Sequence, residues 1–227
     1  MNVLAIDTVA PVIGVALRVG GESRERVERV SRGAETRLTP WVLELCAEAG
    51  LGLRDLDGIA VSRGPGSFTG LRVGLATAAG LALGLDVPLW GAMSLAPRAH
   101  RVAGEGSGVL ALLDARRQRV YAAWYPPGAS ARGPEDIDPA VAVGWAAPPF
   151  VATGEGAIVY EEQVLRAGGC LAPGAGHPAV DALAWMGEEA LLRGEGRDAV
   201  EVVPLYLRAP DAQPPAPPEG KRTRSGE

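Results

Sequence analysis

The hydrophobic and polar positions in the first half of the chain alternate between short strand-like runs and longer helix-like repeats. Apolar residues recur at helical spacing from Leu38 to Cys46, and Gly50 then offers the residue type that tolerates a left-handed helix end. The pattern predicts strands at 3–7, 12–17, 25–30, 59–62 and 87–90, with helices at 38–50 and 71–83. The third strand alternates charged residues with valine and is predicted to lie at a sheet edge. This order of elements, βββαβαβ, is typical of an α/β fold.

The second half repeats the opening of the first. Strand-like runs at 109–114 and 120–125 predict a second β-hairpin, and its first strand ends on Asp114 as the opening strand ends on Asp7. A Gly-Glu-Gly sequence at 154–156 precedes a helical stretch, as Gly-Pro-Gly does in the first half. These parallels predict an internal duplication into two related α/β domains. Their expected bounds are residues 1–103 and 108–208, with a glycine-rich hinge between them.

The rest of the second half is less regular. Residues 126–149 contain several prolines and glycines, which predicts a long surface connection. A helix is predicted at 179–192 and a final strand at 200–206. From residue 209 onward, prolines replace large apolar residues, and this composition predicts a disordered tail at 209–227.

Composition excludes several kinds of chemistry. Of the 227 residues, the only lysine is Lys221 and the only histidines are His100 and His177. A Walker-type phosphate loop or a Schiff-base lysine is therefore excluded from the body of the chain. The two histidines and the two cysteines, Cys46 and Cys170, lack ligand spacing, so no metal site is expected and both histidines are interpreted as surface or structural residues.

Charge and hydropathy indicate where the chain acts. The formal net charge of −5 argues against direct binding of nucleic acid, because phosphate contacts require clustered cations. The N-terminus lacks a cationic signal-peptide region, and the longest apolar run, 73–85, is short and glycine-rich for a membrane span. Cysteine usage fits reduced thiols. We therefore expect a cytoplasmic protein that does not enter a membrane.

A glycine-rich loop between a predicted strand and helix is the sharpest local feature. Gly64, Gly66 and Gly70 permit tight backbone angles, and Ser67 and Thr69 supply capping hydroxyl groups. Free amide groups at the start of a helix bind anions, so the loop fits a phosphate. It equally fits a turn whose glycines only allow close packing, and the sequence leaves both interpretations open.

Asp7 is the second candidate for chemistry, together with its neighbour Thr8. A carboxylate at the carboxyl end of a buried α/β strand can hold a phosphate or a metal-bound water. It can also cap its own hairpin turn. Asp114 has the same two interpretations, with Arg116 and Arg117 close by to neutralise it.

The two early helices carry the residue types of a helix-packing surface. Small residues at four-residue spacing, including Gly74 and Ala78, allow a second helix to approach closely, either in the core or across a subunit interface. Large apolar residues of the kind that anchor interfaces precede them. The predicted interface set is Leu38, Trp41, Val42, Leu45, Leu71, Arg72, Gly74, Leu75 and Ala78.

Residues 61–77, VSRGPGSFTGLRVGLAT, resemble the signature of the TsaB (YeaZ) family of tRNA threonylcarbamoyladenosine biosynthesis subunits. The resemblance continues in LAIDT at 4–8, DAR at 114–116, GEG at 154–156 and PLYLR at 204–208. It implies an actin-like fold of two related α/β domains, and dimer contacts through the two early helices. A histidine often found before the first helix is replaced here by Ala34.

The resemblance also implies a role. Members of the family are non-catalytic partners of the TsaD-type transferase and the TsaE-type ATPase, and they form homodimers. The transferase paralogue holds a metal through a His-x-x-x-His pair, which residues 91–100 of this chain lack. We therefore expect a scaffold subunit with no catalytic residue and no required cofactor, which contacts tRNA only indirectly and binds ATP or ADP weakly at most. The alternative is an actin-fold ATPase, phosphotransferase or peptidase that uses Asp7 and the loop at 64–70.

Overall fold

A computed structural model describes residues 1–30, 33–104 and 106–208. The first half is built on a five-stranded sheet, whose strands are β1 (Asn2–Asp7), β2 (Val12–Val19), β3 (Glu22–Arg29), β4 (Gly58–Ser62) and β5 (Leu89–Ala92). Their order in the sheet is β3-β2-β1-β4-β5. β1 and β2 form the predicted antiparallel hairpin, while β4 runs parallel to β1. The charged third strand lies at the edge, as its sequence predicts.

Three helices belong to the first half by sequence: α1 (Ala34–Glu48), α2 (Phe68–Leu85) and α3 (Leu95–Val102). Of these, α3 packs on the sheet of the second half. α2 begins three residues earlier than predicted, because the hydroxyl of Ser67 accepts a hydrogen bond from the backbone N–H of Gly70 and caps the helix. α1 and α2 pack on the face of the sheet that carries Leu4 and Ile6, and together they form the largest apolar core. One face of each predicted helix is thus used inside the chain.

The second half has a five-stranded sheet with the same connectivity. Its elements are β6 (Gly108–Asp114), β7 (Val120–Tyr125), β8 (Arg132–Ile137), α4 (Pro139–Val143), β9 (Phe150–Thr153), α5 (Glu155–Val159), α6 (Glu161–Arg166) and β10 (Gly169–Leu171). The strand order is β10-β9-β6-β7-β8, in which each strand occupies the place of the strand five numbers earlier. The parallel and antiparallel pairings also match. The repeated topology confirms the predicted duplication.

Helix α7 (Val180–Leu192) follows the second sheet in sequence but packs on the first. Leu183 and Ala184 contact the face of β1 that carries Val3 and Ala5. Because successive strand residues point to opposite faces, this face is opposite to the one covered by α1 and α2. The first sheet is therefore buried on both sides, which explains why its central strands read as continuous apolar runs.

Two sequence predictions are wrong. The stretch 126–149 is more than a surface connection, because it contains β8 and α4. β8 was not predicted because it is a polar strand at a sheet edge and lacks the apolar pattern of a strand. The predicted final strand at 200–206 is absent: residues Ala199–Glu201 form a 3₁₀ turn and the following residues pair with no strand in the described part of the chain. Pro204 lacks a backbone donor, which weakens any strand there. The tail predicted from residue 209 lies outside the described residues.

Candidate functional site

Asp7 is the last residue of β1, and its carboxylate is fully engaged inside the protein. Oδ1 accepts a hydrogen bond from the backbone N–H of Val9 at 3.1 Å. Oδ2 accepts one from the hydroxyl of Ser62 at 2.9 Å and one from Nη1 of Arg98 at 2.8 Å. The exposed fraction is 0% for Asp7 and 1% for Arg98. The carboxylate is thus paired with a buried arginine and has no side facing solvent.

Arg98, which the sequence reasoning missed, lies on the buried face of α3. It follows Leu95 by three residues and precedes Ala99, and both of these neighbours are buried. Its Nη1 also donates to the backbone carbonyl of Ser94 at 2.6 Å, whereas Nη2 is buried and has no hydrogen-bond partner among the described residues. The available signal was an arginine at a helical position whose i−3 and i+1 neighbours are apolar.

The backbone of the glycine-rich loop is held by the chain itself. The N–H of Gly64 donates to the hydroxyl of Ser94 at 3.0 Å, and the N–H of Ser67 donates to the carbonyl of Val9 at 2.7 Å. The hydroxyl of Thr8 donates to the carbonyl of Gly70 at 2.6 Å. The loop amides in these contacts already have partners, so they are not available to an anion in this arrangement.

Close packing also explains why two of the loop positions are glycine. A Cβ atom on Gly70 would overlap the carbonyl oxygen of Thr8, so the start of α2 can lie directly on the end of β1 only without a side chain. Gly64 has φ of +119°, which L-residues rarely adopt, and a Cβ there would overlap the carbonyl oxygen of Leu205. The close approach of the backbones is sufficient to account for both glycines.

A cleft of about 1040 Å³ lies between the two halves of the chain. Its walls come from the loop, from the β6–β7 turn and α5 of the second half, and from the C-terminal segment at 205–208. The predicted site residues on the wall are Thr8, Gly66, Ser67, Thr69 and Gly70. Asp7 and Gly64 do not line the cleft. The structure therefore separates these loop residues, which line the cleft, from the predicted carboxylate of Asp7, which is buried and does not line it.

The second half contributes its own carboxylates to the cleft. Asp114, the counterpart of Asp7, accepts a hydrogen bond from the backbone N–H of Arg116 at 2.9 Å and remains partly exposed. Glu155, at the start of α5, was missed by the sequence reasoning. Burial raises its pKa above the ordinary value, the charge of Arg98 opposes this, and its Oε2 has no hydrogen-bond partner among the described residues. Glu155 is therefore biased toward its neutral, protonated form.

Most of the predicted interface residues are inside the chain. Seven of the nine are buried: Leu38, Val42, Leu45, Leu71, Gly74, Leu75 and Ala78. They point toward the first sheet or the end of β1, and they pack in the core of this same chain. A Cβ on Gly74, for example, would overlap the hydroxyl of Thr8. Of the predicted set, only Trp41, which is half-buried, and Arg72, which is exposed, have surface to offer to a partner.

The outward face of α2 consists of other residues. Ala76, Gly80 and Gly84 are exposed, and 65% of Leu83 is accessible to solvent. A Cβ on Gly80 or Gly84 would meet nothing within 4 Å. We call these four residues the α2 strip; on α1, Leu43 is 49% exposed. With 18 residues and a mean hydropathy of 1.4, α2 is the one described helix that satisfies a membrane span by length and composition, although its inner face packs in the core.

A second polar cluster joins β3, α3 and α7. Ligand atoms of Glu25, His177 and Asp181 lie within 4.8 Å of one another, as in a metal site. However, Nδ1 of His177 accepts the N–H of Ala179 at 2.9 Å, so the ring proton is on Nε2, which faces Glu25 at 3.0 Å. Neither nitrogen then offers a lone pair to a metal, and Arg101 already supplies positive charge. The donor arrangement is that of an ion-pair network, and His177 has a structural place in it.

Comparison with known proteins gives consistent matches. A family model described as TsaD, tRNA N6-adenosine threonylcarbamoyltransferase, matches residues 28–146, just over half of the chain. The chain is similar to the tRNA threonylcarbamoyladenosine biosynthesis protein TsaB of Escherichia coli, with 41% identity over 128 residues that cover 55% of each protein. An uncharacterised protein of Mycobacterium tuberculosis is 38% identical over 226 residues, which cover 94% of both chains.

Among solved structures, YeaZ from Pseudomonas aeruginosa superposes on the chain with a TM-score of 0.77 and 32% sequence identity. The match covers 91% of this chain and 99% of that one. The agreement extends over both halves and confirms the predicted α/β, actin-like fold.

Proposed function

This chain belongs to the TsaB (YeaZ) family of tRNA threonylcarbamoyladenosine biosynthesis proteins, and from that premise we propose that it is the non-catalytic subunit of the modifying complex. In this role it binds and supports a TsaD-type catalytic subunit and a TsaE-type ATPase in the cytoplasm. The complex forms N6-threonylcarbamoyladenosine on tRNAs that read codons beginning with A. The chain itself needs no cofactor.

The buried pair between Asp7 and Arg98 carries this proposal. In an α/β fold, a carboxylate at the carboxyl end of a central strand is well placed to hold a metal–phosphate group. Here a guanidinium 2.8 Å away already supplies the positive charge that a metal ion would bring. Moving Arg98 away would leave two charges unpaired in the interior, which is strongly unfavourable. We therefore assign Asp7 a structural role, as the partner of Arg98 in a buried ion pair.

The alternative enzyme functions find no support at this site. An ATPase or phosphotransferase would need Asp7 and the loop amides free, and a peptidase would need a nucleophile with an adjacent base. Asp7 is paired with Arg98, and the N–H groups of Gly64, Ser67 and Gly70 have partners within the chain. His100 stacks on Trp185, and His177 is held in its ion-pair network. We propose no second function.

The α2 strip is the surface on which we place the catalytic partner. Ala76, Gly80 and Gly84 expose little side chain, so a helix of the partner can approach the backbone of α2 closely. Leu83, with 65% of its surface exposed, supplies an apolar anchor at the same face. We also propose that a second copy of the chain binds the same strip in the absence of the partner and so forms a homodimer. Since the net charge is −5, the tRNA contacts are assigned to the partner.

The partner surface is tested by a matched pair of leucine-to-glutamate variants. Leu83→Glu changes the α2 strip, whereas Leu165→Glu changes a leucine of similar exposure, 53%, on α6 of the second half. Co-purification with a TsaD-type subunit and tRNA modification by the mixture are measured for each. We expect Leu83→Glu to lose both and Leu165→Glu to keep both. Retention of both by a folded Leu83→Glu protein would contradict the placement of the partner.

The absence of catalysis is tested on the isolated protein. Calorimetry with ATP and magnesium is expected to give weak binding or none, and hydrolysis is expected to be no faster in the native protein than in Asp7→Asn. Turnover that Asp7→Asn abolishes, in a variant that remains folded, would refute the non-catalytic assignment and support the enzyme.

A further inference from the structure

The C-terminal segment at 202–208 crosses from the first half of the chain to the second. It follows the 3₁₀ turn at Ala199–Glu201, which packs beside α2, and it forms part of the wall of the cleft. It has no regular secondary structure. We call this segment the clasp, because it contacts both halves through side chains at its end.

The clasp is seated in the first half by backbone contacts. The N–H of Leu205 donates to the carbonyl of Arg63 at 2.6 Å. The carbonyl of Leu205 occupies the space that a Cβ on Gly64 would fill, and a Cβ on Gly91 would lie 2.7 Å from the side chain of Val202. Both glycines therefore leave room for the clasp, and its path over the end of the first sheet is well defined.

Tyr206 then fastens the clasp to the start of α2. Its ring lies 5.1 Å from that of Phe68, centroid to centroid. The guanidinium of Arg72 lies 3.9 Å from the centroid of the Phe68 ring, and its Nε donates to the hydroxyl of Tyr206 at 3.4 Å. Aromatic and cation–π contacts of this kind add attraction beyond the burial of surface.

Two residues further on, Arg208 reaches the second half. Its Nε donates to Oδ2 of Asp136 on β8 at 2.9 Å, and its Nη2 lies 2.7 Å from the same oxygen. Its Nη1 donates to the carbonyl of Ala115, in the β6–β7 turn, at 3.0 Å. The side chains of Arg208 and Asp136 are 24% and 12% exposed, so this pair is better shielded from solvent than a surface ion pair.

We propose that the clasp holds the two halves of the chain at one mutual orientation and thereby sets the width of the cleft. The chain crosses between the halves between α3 and β6 and again between β10 and α7. The first of these links contains Gly104 and Gly106, and a Cβ on either would meet nothing within 4 Å. Such a link permits movement between the halves. Tyr206 and Arg208 are only two residues apart and grip opposite sides of the cleft. The proposal concerns the isolated chain and does not depend on the proposed function.

The experiment measures a distance between the two halves by electron–electron double resonance. One spin label is placed on Cys170, which is exposed on β10, and the other on an introduced Glu22→Cys at the exposed start of β3. Cys46 is buried and stays unlabelled. Dilution with unlabelled protein removes distances between molecules. The parent, Tyr206→Ala and Arg208→Ala are compared with Arg193→Ala, whose ion pairs remain within α7 and its end.

We expect Tyr206→Ala and Arg208→Ala each to broaden the distance distribution and shift it to longer values, while Arg193→Ala leaves it unchanged. Because Arg208 joins the clasp to the second half, adding Tyr206→Ala to Arg208→Ala should change the distribution no further, which is a clear departure from additivity. Melting temperatures should fall by about 3 °C for each single variant. A cooperative melting transition in each variant shows that the proteins are folded during the distance measurement. A lower melting temperature with an unchanged distance distribution would overturn the proposal, since the clasp would then only stabilise the fold.

Discussion

The guanidinium of Arg98 lies 2.8 Å from the carboxylate of Asp7, and neither side chain is open to solvent. The attraction between two buried charges of this kind offsets part of the free energy that is needed to remove both from water. The pair joins the end of β1 to α3 beneath the cleft. The carboxylate of Asp7, which would have to be free to bind a ligand, is here bound by Arg98 of the same chain.

Removal of Arg98 should be costly. Arg98→Met leaves the carboxylate of Asp7 buried without a counter-charge, and we expect it to lower the free energy of unfolding by about 3–5 kcal/mol. Urea denaturation followed by circular dichroism measures this. The double variant Arg98→Met with Asp7→Asn should lose less than the sum of the two single variants.

The control for this prediction is Arg166→Ala, which breaks an exposed pair with Glu162 whose side chains are 72% and 77% accessible. Its effect should stay below about 1 kcal/mol. If Arg98→Met cost no more than Arg166→Ala, the buried pair would have no structural role.

Two glycines of the same helix should respond in opposite ways to alanine. In Gly70→Ala the new Cβ would overlap the carbonyl of Thr8, so we expect a loss of about 1–3 kcal/mol in the free energy of unfolding. In Gly80→Ala the Cβ meets nothing within 4 Å, and alanine should stabilise the exposed helix by about 0.5–1 kcal/mol. Thermal unfolding of both variants checks the signs. Stabilisation by Gly70→Ala would show that the loop can move away from β1.

Glu155 should make stability depend on pH in a defined direction. Burial raises its pKa in the folded state above the unfolded value, so the folded state binds the proton more tightly. The contribution of Glu155 to stability is therefore present at low pH and falls as the pH rises through the unfolded pKa toward the folded one. Glu155→Gln removes this loss, and its stability relative to the parent should increase from pH 4 to pH 8.

Urea unfolding at a series of pH values measures the difference between Glu155→Gln and the parent. Glu162→Gln, at a glutamate that is 77% accessible on the neighbouring helix, is the control, and its difference from the parent should change less over the same series than that of Glu155→Gln. A constant difference for Glu155→Gln as well would contradict the burial of a titrating carboxyl in the cleft.

The His177 network should protect the protein toward acid. The hydrogen bond from His177 is the main cause of the lowered pKa of Glu25, so Glu25 contributes stability above its unfolded value, near 4.5, and loses it as the pH falls through the folded value. We expect the cost of His177→Ala to be largest near neutral pH and to shrink below pH 4.5. His100→Ala, which removes the stack on Trp185, should have a cost that changes less with pH. Equal pH profiles for the two variants would refute the network.

Periodicity identified the helices but not their surroundings. Leu38, Val42 and Leu45 share one face of α1, and that much follows from their spacing. The same spacing fits a face that meets a partner and a face that meets the chain's own sheet. In the folded chain these residues pack on the first sheet and belong to its core. The surface that is left for a partner on α2 is the α2 strip.

The sequence by itself determined the two hairpins, the α/β class and the duplication, because these depend on local alternation of apolar residues and on repeated order along the chain. It also determined the loop, whose residues carried the resemblance to the TsaB family. Only the tertiary structure decided what Asp7 and Glu155 face. Asp7 and Arg98 are 91 positions apart in the sequence. Arg72 and Tyr206 of the clasp, which form a hydrogen bond, are 134 positions apart. Such contacts arise from how sheets and helices stack, which no local pattern encodes.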